Sequence, residues 1–268
     1  MEKYGLVRAG WPVLAFVVLG IAGCSKGPEH SATELHFDLR GQPLPAAFRT
    51  FGRMSNEDIR PEPDGLRIAL PKDRPGQFMG GLDLVTKLTG DCEITAAVEL
   101  LEAERPKTDE PSRVGVFLAA NQAARVGQLM EMNESDMVWE RFTAPDGTKA
   151  YIGGGEPSSE KLRRLRLRRA GSVMHFLWSS ATDGEDFREI GECEFGTREI
   201  TLVRLRIEKG SQVGRLGVRF ADLRIGGPSI SLGRPPWVTL AIGATAGFVI
   251  VAALIIVRRR NRKKLLAI

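Results

Sequence analysis

The chain is poor in the residues on which most catalytic and metal sites depend. Its 268 residues include three cysteines, three histidines and two tyrosines. Structural zinc sites need Cys and His ligands at close spacing, and the sequence has no such cluster. Ser-His-Asp catalysis needs a histidine base, and none of the three histidines lies in a recognisable nucleophile motif. We therefore expect structural roles for His30, His36 and His175.

The composition is that of an ordinary globular protein, with 43% apolar, 26% charged and 7% aromatic residues. It excludes a disordered chain, a collagen and a transporter with many membrane spans. The formal net charge of +5 is concentrated at the ends. Subtracting the +6 of residues 258–268 and the +1 of residues 1–23 leaves residues 24–257 at −2. That charge does not favour nucleic acid as a partner.

The N-terminus carries an export signal. Residues 1–23 combine a basic start, a short apolar run and a final small residue, which is typical of a secretory signal peptide. The segment Ile21-Ala22-Gly23-Cys24 also resembles the bacterial lipoprotein signal, in which the cysteine receives the lipid. Cys24 is therefore a candidate for lipidation, with ordinary cleavage nearby as the alternative. Residues 24–33 then form a linker.

The C-terminus carries a membrane signal. Residues 237–257 form an uncharged run of 21 residues, which as a helix is long enough to cross the hydrocarbon core. The basic tail at 258–268 predicts that the C-terminus stays in the cytoplasm. We expect a single-pass protein of the cytoplasmic membrane, with lipid as a partner and the preceding domain outside. Gly243 and Gly247 have the small-xxx-small spacing that could join two such helices in a homodimer.

Between these ends, apolar residues alternate with polar ones and turn residues recur. The alternation is clearest at 65–70, 91–100, 164–169 and 203–207. The basic run at 161–169 could form a helix, but alternation places Leu165 and Leu167 on one side of a strand. About ten strands predict an all-β fold over residues 34–227, a two-sheet antiparallel sandwich beside one C-terminal transmembrane helix. Residues 228–236, rich in Pro, Gly and Ser, are predicted to be a linker.

Several segments of this region carry a family resemblance. They read FMGGL at 78–82, LTGDCEI at 88–94, LRLRRAG at 165–171, SATDG at 180–184 followed by Phe187, and VRFADLRI at 218–225. They resemble the concanavalin A-like lectin/glucanase jelly roll and, more narrowly, a bacterial branch of it known only as a domain of unknown function. The resemblance implies a jelly-roll sandwich over about residues 34–226, with carbohydrate contact as an expectation. The matching motifs are structural in that family, so they support the fold and not an activity.

Catalytic carboxylates are not prominent. Retaining glycosidases of this fold resemble one another in an E-x-D-x-x-E strand, which does not occur here. The nearest pairs are Glu192 with Glu194 and Glu131 with Glu134. Glu192 and Glu194 would share one face of a strand, which makes them weak catalytic candidates, and a solvated outer face is the preferred interpretation. The sequence therefore leaves the question of an enzyme open and leans against it.

Arginines supply the most suggestive binding pattern. Arg164, Arg166, Arg168, Arg204 and Arg206 should project from the wet faces of two strands. If those strands are neighbours, the arginines form a basic surface for an acidic or cell-surface polysaccharide. The alternative is pairing with glutamates on adjacent strands. The aromatic residues that could support a sugar are few, chiefly Trp139, Trp178 and Tyr151.

Two further assignments stay open at the level of sequence. Ca²⁺ could bind at the loop that contains Asp183 and Asp186, although a hairpin turn explains the same residues. Cys92 and Cys193 could form a disulfide in an oxidising compartment, or each could be a small core residue.

These observations favour a membrane-anchored, extracytoplasmic binding or structural module, with glycan as the first ligand to test. A degenerate or unfamiliar glycoside hydrolase or lyase, and an envelope scaffold with a protein partner, are the alternatives.

Overall fold

The computed structural model describes residues 32–70, 77–104, 110–121, 123–132, 137–144, 148, 150–152, 161–180, 186–210 and 214–233. The predicted signal peptide, Cys24, the membrane helix with Gly243 and Gly247, and the basic tail lie outside the described residues. Within the described part, no helix is both long and apolar enough to span a bilayer.

The described residues form fifteen β-strands and a single 3₁₀ turn at Asn56–Asp58. The strands are β1 (Ala32–Asp38), β2 (Phe48–Gly52), β3 (Ile59–Glu62), β4 (Gly65–Leu70), β5 (Phe78–Thr89), β6 (Cys92–Ala103), β7 (Ser112–Ala119), β8 (Arg125–Met132), β9 (Met137–Ala144), β10 (Ala150–Ile152), β11 (Leu162–Ala170), β12 (Val173–Ser179), β13 (Arg188–Glu194), β14 (Ile200–Lys209) and β15 (Leu216–Leu232). The predicted all-β class is confirmed.

All strand pairs are antiparallel, in the order β10-β9-β8-β7-β14-β5-β15-β6-β11-β12-β13. In addition, β2 pairs with β5, β1 and β4 pair with β15, and β3 pairs with β4. Buried side chains from β5, β7, β8 and β14 belong to the same apolar cluster as those from β6, β11, β12 and β15. The architecture is therefore sandwich-like, with one core shared by the two halves of the strand order.

The longest strand, β15, links the two halves. Its residues 216–226 pair with β6, and its residues 229–232 pair with β5. The predicted linker starts too early, because residues 228–232 belong to this strand. Pro and Gly at 226–228 suggested a loop, but Ser229 and the residues after it complete the edge of β5.

The basic run at 161–169 is a strand, as alternation predicted. Leu165 and Leu167 of β11 face the core, and Arg163 and Arg169 lie at the two ends of the same inward row. Arg169 is only 1% exposed. Its Nε donates to the Gly90 carbonyl at 2.8 Å and its Nη1 donates to the Arg198 carbonyl at 2.5 Å. These bonds satisfy the buried guanidinium and tie the β5–β6 turn to the segment that leads into β14.

Four strands escaped prediction, namely β2, β3, β5 and β10. The most important is β5, which lies between β14 and β2 and also pairs with the end of β15. Its glycine pair at 80–81 reads as a turn signal. In the structure Gly81 has a φ of +144°, and a Cβ there would collide with the Leu205 carbonyl oxygen of β14. The glycine therefore marks a close approach of two backbones inside a strand.

A charged network lies across β3, β4, β15 and β6. Arg219 donates to Glu62 at 2.8 Å and to Glu99 at 2.8 Å, while Arg67 reaches Glu62 at 3.4 Å and Glu102 at 2.5 Å. The hydrogen bond from Arg219 lowers the pKa of Glu62 below its usual value, against the opposing effect of burial. The same carboxylate raises the pKa of Arg219. The network therefore holds four strands together through cross-strand ion pairs.

Replacing Glu62 with Gln should lower stability by about 1 kcal/mol at pH 7, because it removes one partner from a partly exposed pair. A carboxylate with a lowered pKa stabilises the folded state above its ordinary pKa, and that stability is lost as the pH falls through the folded-state value. The difference between the parent chain and Glu62→Gln should therefore shrink below about pH 4.5. Urea denaturation across pH 3–7 measures it. Glu199→Gln, at an exposed position, is the matched control and should change little.

Candidate functional site

The predicted arginine ladder divides between two parts of the sheet. Arg204 and Arg206 lie on β14, whereas Arg164, Arg166 and Arg168 lie on β11. The strands β5, β15 and β6 separate them. The condition for one continuous basic surface is therefore not met.

The β11 arginines differ in exposure. Arg164 is only 4% exposed, so the expectation that it projects into solvent is wrong. Arg166 reaches Glu93 at 3.2 Å and donates to Thr95 at 3.0 Å, and its guanidinium lies 3.6 Å from the ring centre of Phe187. Arg168 is exposed, with a carboxylate of Glu189 at 4.0 Å. Cross-strand pairing, the alternative weighed for the ladder, thus accounts for Arg166.

Arg204 of β14 and Arg49 of β2 contact the same buried carboxylate. Asp83 on β5 is 2% exposed and lies between Arg204 on one neighbouring strand and Arg49 on the other. Arg204 donates to both carboxylate oxygens, from Nε at 2.7 Å and from Nη2 at 3.1 Å. Arg49 adds a bond at 3.4 Å. This two-pronged contact fixes the plane of the Arg204 guanidinium.

The fixed guanidinium also lies on an aromatic ring. Arg204 is 3.8 Å from the ring centre of Phe51 on β2. That ring covers Gly81, where a Cβ would lie 3.0 Å from Phe51 Cε1. The stack therefore consists, in order, of the Gly81 backbone, the Phe51 ring and the Arg204 guanidinium. Cation–π attraction and the bonds to Asp83 hold the outermost layer in place.

A second stack repeats the first on the other side of β14. Arg206 lies 4.8 Å from the ring centre of Phe117, and that ring covers Gly127 on β8. Arg206 also pairs with Glu208, which is 6% exposed and accepts a bond from Gln77 at 3.0 Å. The alternation of β14 puts both arginines and Glu208 on the side away from the core.

We name this surface the stacked-arginine face; its residues are Arg49, Phe51, Asp83, Phe117, Arg204, Arg206 and Glu208. Three arginines and two carboxylates give it a formal charge of +1. Its arginine donors are held by ion pairs and ring contacts, so a ligand would find them already oriented. The exposed parts of these guanidinium groups can donate hydrogen bonds to a hydroxyl-rich ligand.

Sequence reasoning found Arg204 and Arg206 but missed Asp83, Phe51 and Phe117. The available signal was a single aspartate in the apolar run GGLDLV at 80–85. A lone charge at an alternate position of such a run is a candidate for a paired, buried group.

Glu192 and Glu194 lie on β13 at one end of the strand order, and both are exposed on the same face, as predicted. Glu194 accepts a bond from Ser172 at 3.1 Å. Glu192 Oε2 lies 3.5 Å from His175 Nδ1. A shallow pocket of about 220 Å³ lies elsewhere, lined by Pro43, Leu44, Thr50, Ile59, Pro61 and Leu66.

The remaining candidates are placed as follows. Trp178 is 8% exposed, with Arg163 only 3.5 Å from its ring centre, so it is part of the core and not an exposed platform. Trp139 and Tyr151 are on β9 and β10, but their side chains lie outside the described residues, as do His30, Glu134 and Asp183. Asp186 and His36 are exposed, and Glu131 pairs with Arg113 at 2.6 Å.

Comparison with known proteins gives a family. The model of the family described as "Protein of unknown function (DUF1583) C domain" matches residues 21–236. The chain belongs to this family. No match was found among curated proteins.

Solved structures share the fold of this DUF1583 C domain at low sequence identity. A bifunctional GH43-CE protein from Bacteroides eggerthii has a TM-score of 0.53 at 12% identity, over 71% of this chain and 25% of its own. A mutant of the GH43 protein BlXynB from Bacillus licheniformis has a TM-score of 0.51 at 10% identity, over 72% and 39%. A xylan β-1,4-xylosidase from Bacillus halodurans has 0.50 at 13% identity, over 71% and 38%. The chain thus spans two fifths or less of these proteins, and the likeness is one of fold.

The DUF1583 C domain keeps its two described cysteines as thiols. Cys92 is in register with Arg169, Arg169 with Met174, and Met174 with Cys193. The two cysteines are therefore three strand spacings apart, roughly 14 Å, whereas a disulfide needs Cα atoms within about 7 Å. The disulfide that the sequence left open is therefore excluded. Both residues are free and lie in or against the apolar core, as the alternative expected.

Both thiols should react slowly with alkylating reagents. Burial raises the pKa of Cys92 and raises that of Cys193 to about 11, so little thiolate is present at pH 8. We expect iodoacetamide to label both peptides at least tenfold faster after denaturation than in the native domain. Peptide mass spectrometry without reduction measures this. A disulfide-linked pair of the Cys92 and Cys193 peptides would contradict the structure.

Proposed function

We propose that this domain is a non-catalytic binding module that holds a glycan on its stacked-arginine face. The observation that supports it is the pair of guanidinium groups, each fixed by a buried carboxylate and supported by a phenylalanine ring. Sugar hydroxyls accept hydrogen bonds, and this face offers arginine donors to them, with the side chains of Arg49, Arg204 and Arg206 exposed by 47%, 26% and 14%. The occurrence of the fold within a xylan β-1,4-xylosidase and other GH43 proteins adds support for a carbohydrate ligand. A concanavalin A-like jelly roll is the finer fold assignment that we propose with it.

The charge pattern favours a neutral glycan over an acidic one. Arg204 and Arg206 already pair with Asp83 and Glu208, so a carboxylate or sulfate of a polysaccharide would compete with buried partners. Leaving such a buried carboxylate unpaired is costly. The sequence pattern alone pointed to an acidic polysaccharide, because these partners were not recognisable in it.

Binding without catalysis also fits the positions of the two buried carboxylates. Asp83 is opposite Arg204, and Glu208 is four residues farther along β14. At about 3.4 Å per residue along the strand, and with Asp83 one strand to the side, the two backbone positions are roughly 14 Å apart. Glycosidases place their carboxyl groups about 5 to 9.5 Å apart. Asp83 and Glu208 are therefore better suited to orienting arginines than to acting as an acid and a base.

A glycan array probed with the full chain tests the proposal. Neutral polysaccharides such as xylan, xyloglucan and β-glucan should bind, and polygalacturonate should bind less. Arg204→Ala should weaken binding at least tenfold, because it removes the stacked donor, and Arg204→Lys should rescue little, because an ammonium cannot form the two-pronged contact. Arg168→Ala is the matched control, since Arg168 is exposed and lies on β11, which three strands separate from β14.

Thermal melting of each variant separates a folding defect from a binding defect. Binding that survives Arg204→Ala in a folded chain, or that is lost with Arg168→Ala, would contradict the assignment to this face. If the parent chain bound no glycan on the array, the alternative of an envelope scaffold with a protein partner would be favoured.

We propose further that the domain is displayed outside the cytoplasmic membrane. The support is the uncharged run at 237–257 followed by six basic residues in the tail. Protease added to intact spheroplasts should remove the domain and spare a tag placed after residue 268. Digestion of the tag with survival of the domain would reverse the topology.

A further inference from the structure

One cluster of ligating side chains lies outside the stacked-arginine face. His175 on β12 is accompanied by Glu189 and Glu192 on β13. The imidazole Nδ1 is 2.9 Å from Glu189 Oε1 and 3.5 Å from Glu192 Oε2. One ligand atom from each residue lies within 4.8 Å of the other two. We call these three residues the His175 cluster.

A bulge in β13 creates the cluster. Glu189 and Glu192 are three residues apart, so in a regular strand they would point to opposite faces. His175 is in register with Glu192 and Leu177 with Glu189, with an extra residue of β13 between the two pairs. Gly191, whose φ is +146°, lies within the bulge. The extra residue restores both glutamates to the face of His175.

We propose that the His175 cluster binds a divalent transition-metal ion, with Zn²⁺ as the ion to test. One imidazole nitrogen and two carboxylates are ligands that this class of ion accepts. Ligands placed tetrahedrally at about 2.1 Å around Zn²⁺ are about 3.4 Å from one another. The distances from Nδ1 to the two carboxylates are close to that value, so the free side chains need only small rotations to surround an ion.

The local charge is consistent with a cation. Glu189 and Glu192 bring two negative charges to one imidazole. The Arg168 guanidinium is 4.0 Å from Glu189 Oε2, the carboxylate oxygen that His175 does not contact. The glutamate side chains are 40% and 61% exposed, so water can complete the coordination and the ion can enter from solvent.

The test is a titration of the full chain with Zn²⁺ alone, monitored by isothermal titration calorimetry. One ion per chain is expected at this cluster. His175→Gln and Glu192→Gln should each weaken its binding at least tenfold. Glu194→Gln is the matched control, because Glu194 is on the same strand and face but bonds to Ser172. Co²⁺ in place of Zn²⁺ should give a visible absorption band that is lost in His175→Gln.

Three results would overturn the proposal. They are the absence of Zn²⁺ binding, unchanged binding in both His175→Gln and Glu192→Gln, and equal weakening by Glu194→Gln, which would indicate a diffuse acidic edge. Glu192 is mostly exposed, so its variant should fold even if His175→Gln does not. Because the His175 cluster is separate from the stacked-arginine face, glycan binding by the Glu192→Gln variant should be unchanged.

Discussion

The register of β14 between β5 and β7 is the constraint on which the rest of the structure depends. It directs Val203, Leu205 and Ile207 into the core and Arg204 and Arg206 away from it. A slip of one residue would exchange the two sets and place guanidinium groups in the apolar interior. The buried partner Asp83 adds to this constraint, since it meets Arg204 only in the observed register.

The many arginines of the domain form little free positive surface, because most of those described have a fixed partner. Asp83, Glu208, Glu93, Glu62 and Glu99 each accept a contact from an arginine of a neighbouring strand or of their own. Arg169 instead uses backbone carbonyl groups. The pairing makes recognition by shape and hydrogen bonding more important than recognition by net charge.

The alternation of polar and apolar residues was sufficient to predict the strands whose inward residues are large and apolar, such as β4, β6 and β11. It failed at β5, where glycine is required by the approach of two backbones, a feature that depends on a distant segment. The candidate site was only partly predictable for the same reason. Arg204 and Arg206 were identified, but Asp83 and the two phenylalanines join them through register between strands far apart in the chain. The bulge that unites Glu189 with His175 leaves no mark in local spacing.

The position of β13 at the end of the described strand order has a consequence for self-association. An unpaired strand edge can serve as a template on which another molecule adds its own strand. Here that edge combines a bulge with three exposed glutamates, at 189, 192 and 194. An incoming copy would meet an interrupted ladder of hydrogen bonds and repulsion between like charges. Both features therefore disfavour the edge-to-edge strand pairing between copies that can lead to fibrils.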